Sequence, residues 1–150
     1  MEIKTREFGT IQVEDDAVYE FPEGIYGFES DKKFAVFSRN IEDFSFLYLQ
    51  SMDHLFPCFM VFEPFDIHPD YHPSISKEDL KDCQVDNLDD LIFLVIATVP
   101  AKIEELSINI KSPVILNPMT RKAKQVILQN PDYSVRYYPF LQSGKEGSSC

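Results

Sequence analysis

The sequence has few of the residue patterns that most catalytic sites need. Its three cysteines, Cys58, Cys83 and Cys150, form no C-x-x-C pair, and an odd number of thiols suits a reducing compartment. Glycine is scarce, with 5 residues in 150, and neither G-x-G-x-x-G nor G-x-x-x-x-G-K-(S/T) surrounds Gly24 and Gly27. These two glycines therefore predict a turn rather than a phosphate-binding loop.

Basic residues are outnumbered, with 14 Lys and Arg against 25 Asp and Glu, for a formal net charge of −11. Residues 1–100 hold 7 basic and 21 acidic side chains (net −14), whereas residues 101–150 hold 7 and 4 (net +3). Nucleic-acid affinity depends largely on Lys and Arg, so direct binding of DNA or RNA is disfavoured. A basic protein partner fits this charge, although solubility alone would also explain it.

Long apolar runs are missing. Stretches such as Ile92–Val99 are far shorter than the ~20 residues that span a bilayer, and the first residues show no basic region leading into an apolar segment. We therefore expect a cytoplasmic protein with no membrane segment. The length favours one β domain over residues 1–140, and the Gly, Ser, Lys and Glu content near the end predicts a disordered tail over residues 141–150.

Short strand-like segments are abundant. Aromatic and β-branched runs alternate with Gly, Pro, Asn, Asp or Ser, and Gly9 separates the first two runs as in a hairpin. The predicted strands are Ile3–Arg6, Thr10–Val13, Ala17–Phe21, Lys33–Phe37, Phe44–Leu49, Cys58–Phe62, Leu91–Val99, Glu105–Ile110, Val114–Leu116 and Lys124–Leu128. This pattern predicts an all-β fold, a small antiparallel barrel-like sheet that is closed or nearly closed.

One short helix is predicted over Lys77–Cys83. Ser76 can accept a backbone N–H at its N-terminus, and Glu78 and Asp79 lie in the first turn, where negative charge favours the helix dipole. Leu80 is expected to anchor the helix to the core.

Acidic residues crowd this same region, and only Lys77 and Lys81 offer local counter-charge. A solvated helix face is one explanation, and a partner-binding surface is the other. The candidate partner-binding residues are Glu78, Asp79, Asp82, Asp86, Asp89 and Asp90.

Two groups of residues allow an alternative function, a small metal- or thiol-dependent enzyme. His68, Asp70 and His72 form H-x-D-x-H, which on an extended backbone places two imidazoles and a carboxylate on one face, as a zinc or transition-metal site needs. Flanking prolines make a solvated loop the better interpretation.

The other group is Cys58 with His54, which could form a nucleophile and its base if they meet in space. Cys58 lies within the apolar run CFMVF, where burial would raise its pKa, so we favour a structural cysteine. Accordingly we expect no catalytic residue, no metal and no cofactor.

Several motifs in a fixed order resemble the FliW family of flagellar assembly factors. Residues 107–128, SINIKSPVILNPMTRKAKQVIL, are similar to its C-terminal N-(I/L)-K-(A/S)-P motif with the Q-V-I-L run that follows. FPEGIYGF resembles its F-x-x-G-(I/L)-x-G-F element. Further matches are L-Q-S-x-D at Leu49–Asp53 with Phe59 after it, P-F-x-x-x-P-D-Y at Pro64–Tyr71, and Y-x-x-R at Tyr133–Arg136. One departure is Ala123, where members often have glycine.

The resemblance implies a non-enzymatic protein that exchanges between two partners. These are newly made flagellin and CsrA, a small basic RNA-binding repressor of flagellin translation. Protein occupied by flagellin would leave CsrA free to repress, and protein released by flagellin export would sequester CsrA, which couples flagellin synthesis to export. An acidic surface suits CsrA, and an apolar surface could hold an amphipathic flagellin segment in a helix-in-groove mode. Neither the location of these surfaces nor the oligomeric state follows from the sequence, although a monomer is favoured.

Overall fold

The computed structural model describes residues 1–141, and these include ten strands, two short α-helices, three 3-10 turns and further helical residues at 139–141. The strands are β1 (Glu2–Thr5), β2 (Gly9–Gln12), β3 (Val18–Glu20), β4 (Lys33–Ile41), β5 (Phe44–Ser51), β6 (Cys58–Phe62), β7 (Ile92–Thr98), β8 (Ser107–Ile108), β9 (Val114–Leu116) and β10 (Ala123–Gln125). The helices are α1 (Pro64–Ile67) and α2 (Lys77–Asp82), and the 3-10 turns cover Asp15–Ala17, Leu88–Asp90 and Ile103–Glu105.

The main sheet is antiparallel throughout and runs in the order β10-β9-β7-β6-β5-β4-β3, with β8 paired to β7 and the β1–β2 hairpin separate. Its two edge strands meet through one parallel bridge between Glu20 and Lys122. There the Glu20 N–H donates to the Arg121 carbonyl at 2.8 Å. The sheet is thus nearly closed rather than hydrogen-bonded all the way around, which agrees with the sequence-based expectation.

Both faces of the sheet carry buried side chains. Successive side chains on a strand point to opposite sides, so neighbouring residues pack into different clusters. On β4, Phe34 packs into an enclosed cluster with Leu49, Val61 and Leu94. Its neighbour Ala35 packs on the other face, beneath the β1–β2 hairpin with Ile3, Ile11, Val13, Phe37 and Tyr48. A third cluster includes Phe93, Val95 and Ile115 together with Tyr71, Cys83 and Leu91 from the segment between β6 and β7.

Every predicted strand segment overlaps an observed strand, although the ends differ and only the first two residues of the predicted Lys124–Leu128 belong to β10. Cys58–Phe62 and Val114–Leu116 match β6 and β9 end to end, while the predicted segment Glu105–Ile110 shortens to the two-residue β8. The predicted helix forms as α2, and α1 is an additional single turn that begins at Pro64. Apart from Leu141, the predicted tail lies outside the described residues.

Candidate protein-binding surfaces

The helix α2 and the turn after it hold the acidic segment on the protein surface. The Ser76 hydroxyl accepts a hydrogen bond from the Asp79 N–H at 3.1 Å, which confirms the predicted N-cap. Asn87 caps the following 3-10 turn in the same way, through Asp89. Apolar residues between the carboxylates anchor the segment to the core, namely Leu80, Cys83, Val85 and Leu88.

The six candidate carboxylates fall into two groups. Asp79 and Asp82 lie 2.8 and 2.7 Å from the ammonium of Lys124 on β10, which Glu23 also approaches to 3.2 Å. The Lys124 side chain is only 16% exposed. Burial alone would lower its pKa, but the hydrogen bonds that its ammonium donates to the three carboxylates outweigh burial and raise the pKa. Asp79 and Asp82 therefore have an internal partner, which tethers α2 to the sheet.

The other four carboxylates face solvent. Glu78, Asp86, Asp89 and Asp90 are all exposed, and among residues 1–141 none of them lies within 4.0 Å of a cationic side chain. We call these four residues the acidic patch. Its negative charge is therefore uncompensated by close ion pairs in the described part of the chain.

The basic residues near β10 are largely paired with acidic residues from the N-terminal third. Lys122 forms an ion pair with Glu20, and the Arg121 guanidinium lies 3.9 Å from Asp16 and 5.6 Å from the centre of the Tyr19 ring. Together with Lys124, these contacts use much of the positive charge of the second part of the chain. These three cations therefore pair with carboxylates outside the acidic patch.

The H-x-D-x-H residues do not converge. His68 packs its ring against Tyr71, Tyr133 and Tyr137, with centroids 5.2 to 6.0 Å apart. The His72 Nδ1 lies 2.8 Å from the Asp70 carbonyl and 3.0 Å from the Tyr133 hydroxyl. Within the described chain, no group of three or more His, Cys, Asp or Glu side chains is placed to hold a metal ion.

The proposed thiol and base also have other surroundings. The His54 ring contacts Asp31, with Nδ1 2.7 Å from Oδ1, and the Ser51 hydroxyl donates to the same oxygen at 2.6 Å. Cys58 is half-buried, and burial raises its pKa to about 11. A thiol held in this state is a poor nucleophile at neutral pH.

A groove of about 600 Å³ lies on the hairpin side of the sheet, and its lining includes Phe8, Gln50, Phe56, Met60 and Val99. We call it the Gln50 groove. On this surface the side chains of Phe56 and Val99 are 58% and 50% exposed. Sequence reasoning did not locate this surface, because aromatic residues in strands are most often part of the core.

The family of the chain is decided by comparison with known proteins. The family model described as FliW protein matches residues 2–139. The chain belongs to the FliW family. Flagellar assembly factor FliW of Thermoanaerobacter pseudethanolicus is 36% identical over 149 residues, covering 99% of both chains. That of Thermotoga neapolitana is 38% identical over 136 residues, covering 90% of this chain and 91% of its own.

The fold agrees with this membership. A crystal structure of the flagellar assembly factor FliW superposes with a TM-score of 0.83 at 28% identity, covering 93% of this chain and 97% of the other. The FliW motif L-Q-S-x-D builds the loop after β5. There Gln50 Nε2 donates to the carbonyls of Ser51, His54 and Leu55, and Asp53 accepts the Lys32 N–H at 2.9 Å.

No helix among residues 1–141 has both the length and the apolar character needed to cross a membrane.

Proposed function

We propose that this FliW protein acts in the cytoplasm by binding flagellin and, when free of flagellin, by binding and antagonising the repressor CsrA. It would thereby couple flagellin synthesis to export, acting as a flagellar assembly factor without a catalytic step. Family membership and the curated names of its relatives support this role. The residues suggested for an enzyme do not converge on a shared site, so the enzymatic alternative has no geometric support.

The observation that supports CsrA binding best is the acidic patch. Four exposed carboxylates without close ion pairs project from one short segment, whereas Asp79 and Asp82 are held by Lys124. A cationic partner gains most from charges that have no internal counter-ion. Such charges act mainly on the rate of encounter and are screened over about 8–10 Å at physiological ionic strength.

The test is a triple charge reversal, Glu78→Lys with Asp86→Lys and Asp89→Lys. We expect CsrA association to slow at least tenfold at low salt, and the difference from wild type to shrink as salt rises. Surface substitutions typically change stability by less than ±0.5 kcal/mol each, so the thermal midpoint should move little. Stopped-flow association and calorimetric titration at two salt concentrations measure these effects.

The matched control reverses three other exposed carboxylates, Glu42, Asp43 and Asp132, with the same change in net charge. If the control slows CsrA as much as the patch variant does, only the total charge matters and the patch is not the site. Salt-independent binding by wild type would remove the electrostatic argument. Unchanged CsrA association in a well-folded patch variant would instead make the other acidic group the candidate, which comprises Glu14, Asp15, Asp16, Glu20 and Glu23.

A further inference from the structure

The acidic patch begins on a helix that cannot hold its own position. The helix α2 is six residues long, and none of these residues is fully buried. An isolated helix this short is not stable in water, so contacts with the rest of the fold keep it in place. Of the apolar residues that anchor the segment, only Cys83 is fully buried. The orientation of α2, and of Glu78 upon it, therefore depends also on polar contacts.

Two side chains of the β9–β10 hairpin supply these polar contacts. The Asn117 Nδ2, directly after β9, donates to the Cys83 carbonyl at 2.7 Å, which fixes the backbone at the end of the helix. The Lys124 ammonium on β10 lies 2.8 Å from Asp79 and 2.7 Å from Asp82. Side chains three residues apart share one face of a helix, so a single ammonium that holds both also fixes the rotation of α2 about its axis.

Lys124 acts on a cationic partner in two ways that differ in sign. Its positive charge lies among carboxylates, so it weakens the long-range attraction of the segment for a cation. Its contacts hold α2 in one orientation, so a bound partner does not have to order the helix. Long-range charge acts mainly on the association rate, whereas preorganisation acts mainly on dissociation. Binding kinetics can therefore separate the two effects.

We infer that Lys124 is a positioning residue of the acidic patch, which holds Asp79 and Asp82 so that Glu78 meets a cationic partner in a fixed orientation. The inference rests on the proposed function, since it takes CsrA as that partner. The Lys124 side chain is enclosed by carboxylates and only 16% exposed, so it acts through α2. Its role is to lengthen the lifetime of the complex, in addition to stabilising the fold.

The test compares Lys124→Met with Lys122→Met. Both variants remove one positive charge and leave a carboxylate without its cation, but Lys122 pairs with Glu20 and not with α2. We expect Lys124→Met to speed CsrA dissociation at least about fivefold without slowing association, and Lys122→Met to change dissociation less than about twofold. Stopped-flow measurements on the full chain, well below the thermal midpoints of both variants, give the two rates.

Two further variants keep the test independent of folding. Asp79→Asn leaves Lys124 paired with Asp82 and Glu23, and it should speed dissociation in the same direction by a smaller factor. Lys124→Arg keeps the charge and the hydrogen-bond donors, and it should restore the wild-type dissociation rate to within about twofold. Hydrogen exchange of the α2 amides in the free protein should be faster in Lys124→Met than in Lys122→Met.

A purely structural role would lower the thermal midpoint of Lys124→Met and leave the dissociation rate of the folded molecules unchanged, which would overturn the inference. Slower dissociation would overturn it as well, because it would mean that Lys124 competes with the partner for the carboxylates. Neither result affects the proposed function. Failure of the wild type to bind CsrA would overturn the proposed function, and the inference with it.

Discussion

His54 Nδ1 lies 2.7 Å from Asp31 Oδ1, which joins the loop after β5 to the segment that precedes β4. The carboxylate is 5% exposed and the imidazole 60%. The pKa of His54 is raised by its hydrogen bond to Asp31 and by the negative charge of that carboxylate. Burial alone would raise the pKa of Asp31, but hydrogen bonds from His54 and Ser51 outweigh burial and lower it. The charged pair is therefore favoured at mildly acidic pH.

The stability of the protein should depend on pH through this pair. Because folding raises the pKa of His54, this side chain stabilises the folded protein fully at pH values below its pKa in the unfolded chain, about 6.5. That stabilisation is lost as pH rises through the higher pKa of His54 in the folded protein. The lowered pKa of Asp31 means that its own contribution disappears only as pH falls through a value below about 3.9. We expect the thermal midpoint of His54→Ala to fall furthest below wild type near pH 5–6. A difference that is constant from pH 5 to pH 9 would contradict this expectation.

Lys124 should matter to stability more than any surface lysine. Replacing it with Met leaves Asp79, Asp82 and Glu23 close together without their shared cation. Breaking a fully buried ion pair costs about 3–5 kcal/mol, and we expect about 2–3 kcal/mol here because Glu23 and Asp82 remain in contact with water. Equilibrium unfolding in urea measures the loss.

Lys122→Met is the matched control. Lys122 also pairs with a carboxylate, Glu20 of β3, but both side chains of that pair are more than a third exposed, so the loss should be much smaller than for Lys124. If the two Met variants lose the same stability, the tether between Lys124 and α2 has no special role.

Two glycines of the FPEGIYGF element should differ sharply in their tolerance of alanine. Both have positive φ, 69° for Gly24 and 88° for Gly27, so either substitution costs about 1–2 kcal/mol from the backbone alone. A Cβ on Gly24 would also lie 2.6 Å from the Glu29 Cα, whereas one on Gly27 meets nothing within 4 Å. We expect Gly24→Ala to cost about 1–3 kcal/mol more than Gly27→Ala in urea unfolding, because backbone atoms must move. Equal losses would show that the turn adjusts freely.

Much of the fold could be predicted because its signals are local. Alternating side chains and turn residues place the strands, and Ser76 followed by acidic residues places α2. The single turn α1 was not predicted, since four residues are too few to show a helical period.

The candidate protein-binding surfaces were less predictable, because the contacts that define them join distant parts of the chain. The acidic segment shows only Lys77 and Lys81 nearby in sequence, yet Asp82 pairs with Lys124, 42 residues away. The sequence suggests Cys58, four residues along, as a partner for His54, whereas the His54 ring contacts Asp31. The lining of the Gln50 groove also comes from distant strands, and no residue pattern reveals which side chains meet there.

The seam between β3 and β10 also bears on how copies of the protein meet at high concentration. Edge strands can recruit a strand from another molecule, but here each edge is already bridged to the other through Glu20 and Lys122. A second copy could add a strand at either edge only after the seam had opened. At these two edges, strand exchange between molecules would begin with the opening of this bridge, so the few contacts that nearly close the main sheet also protect its edges.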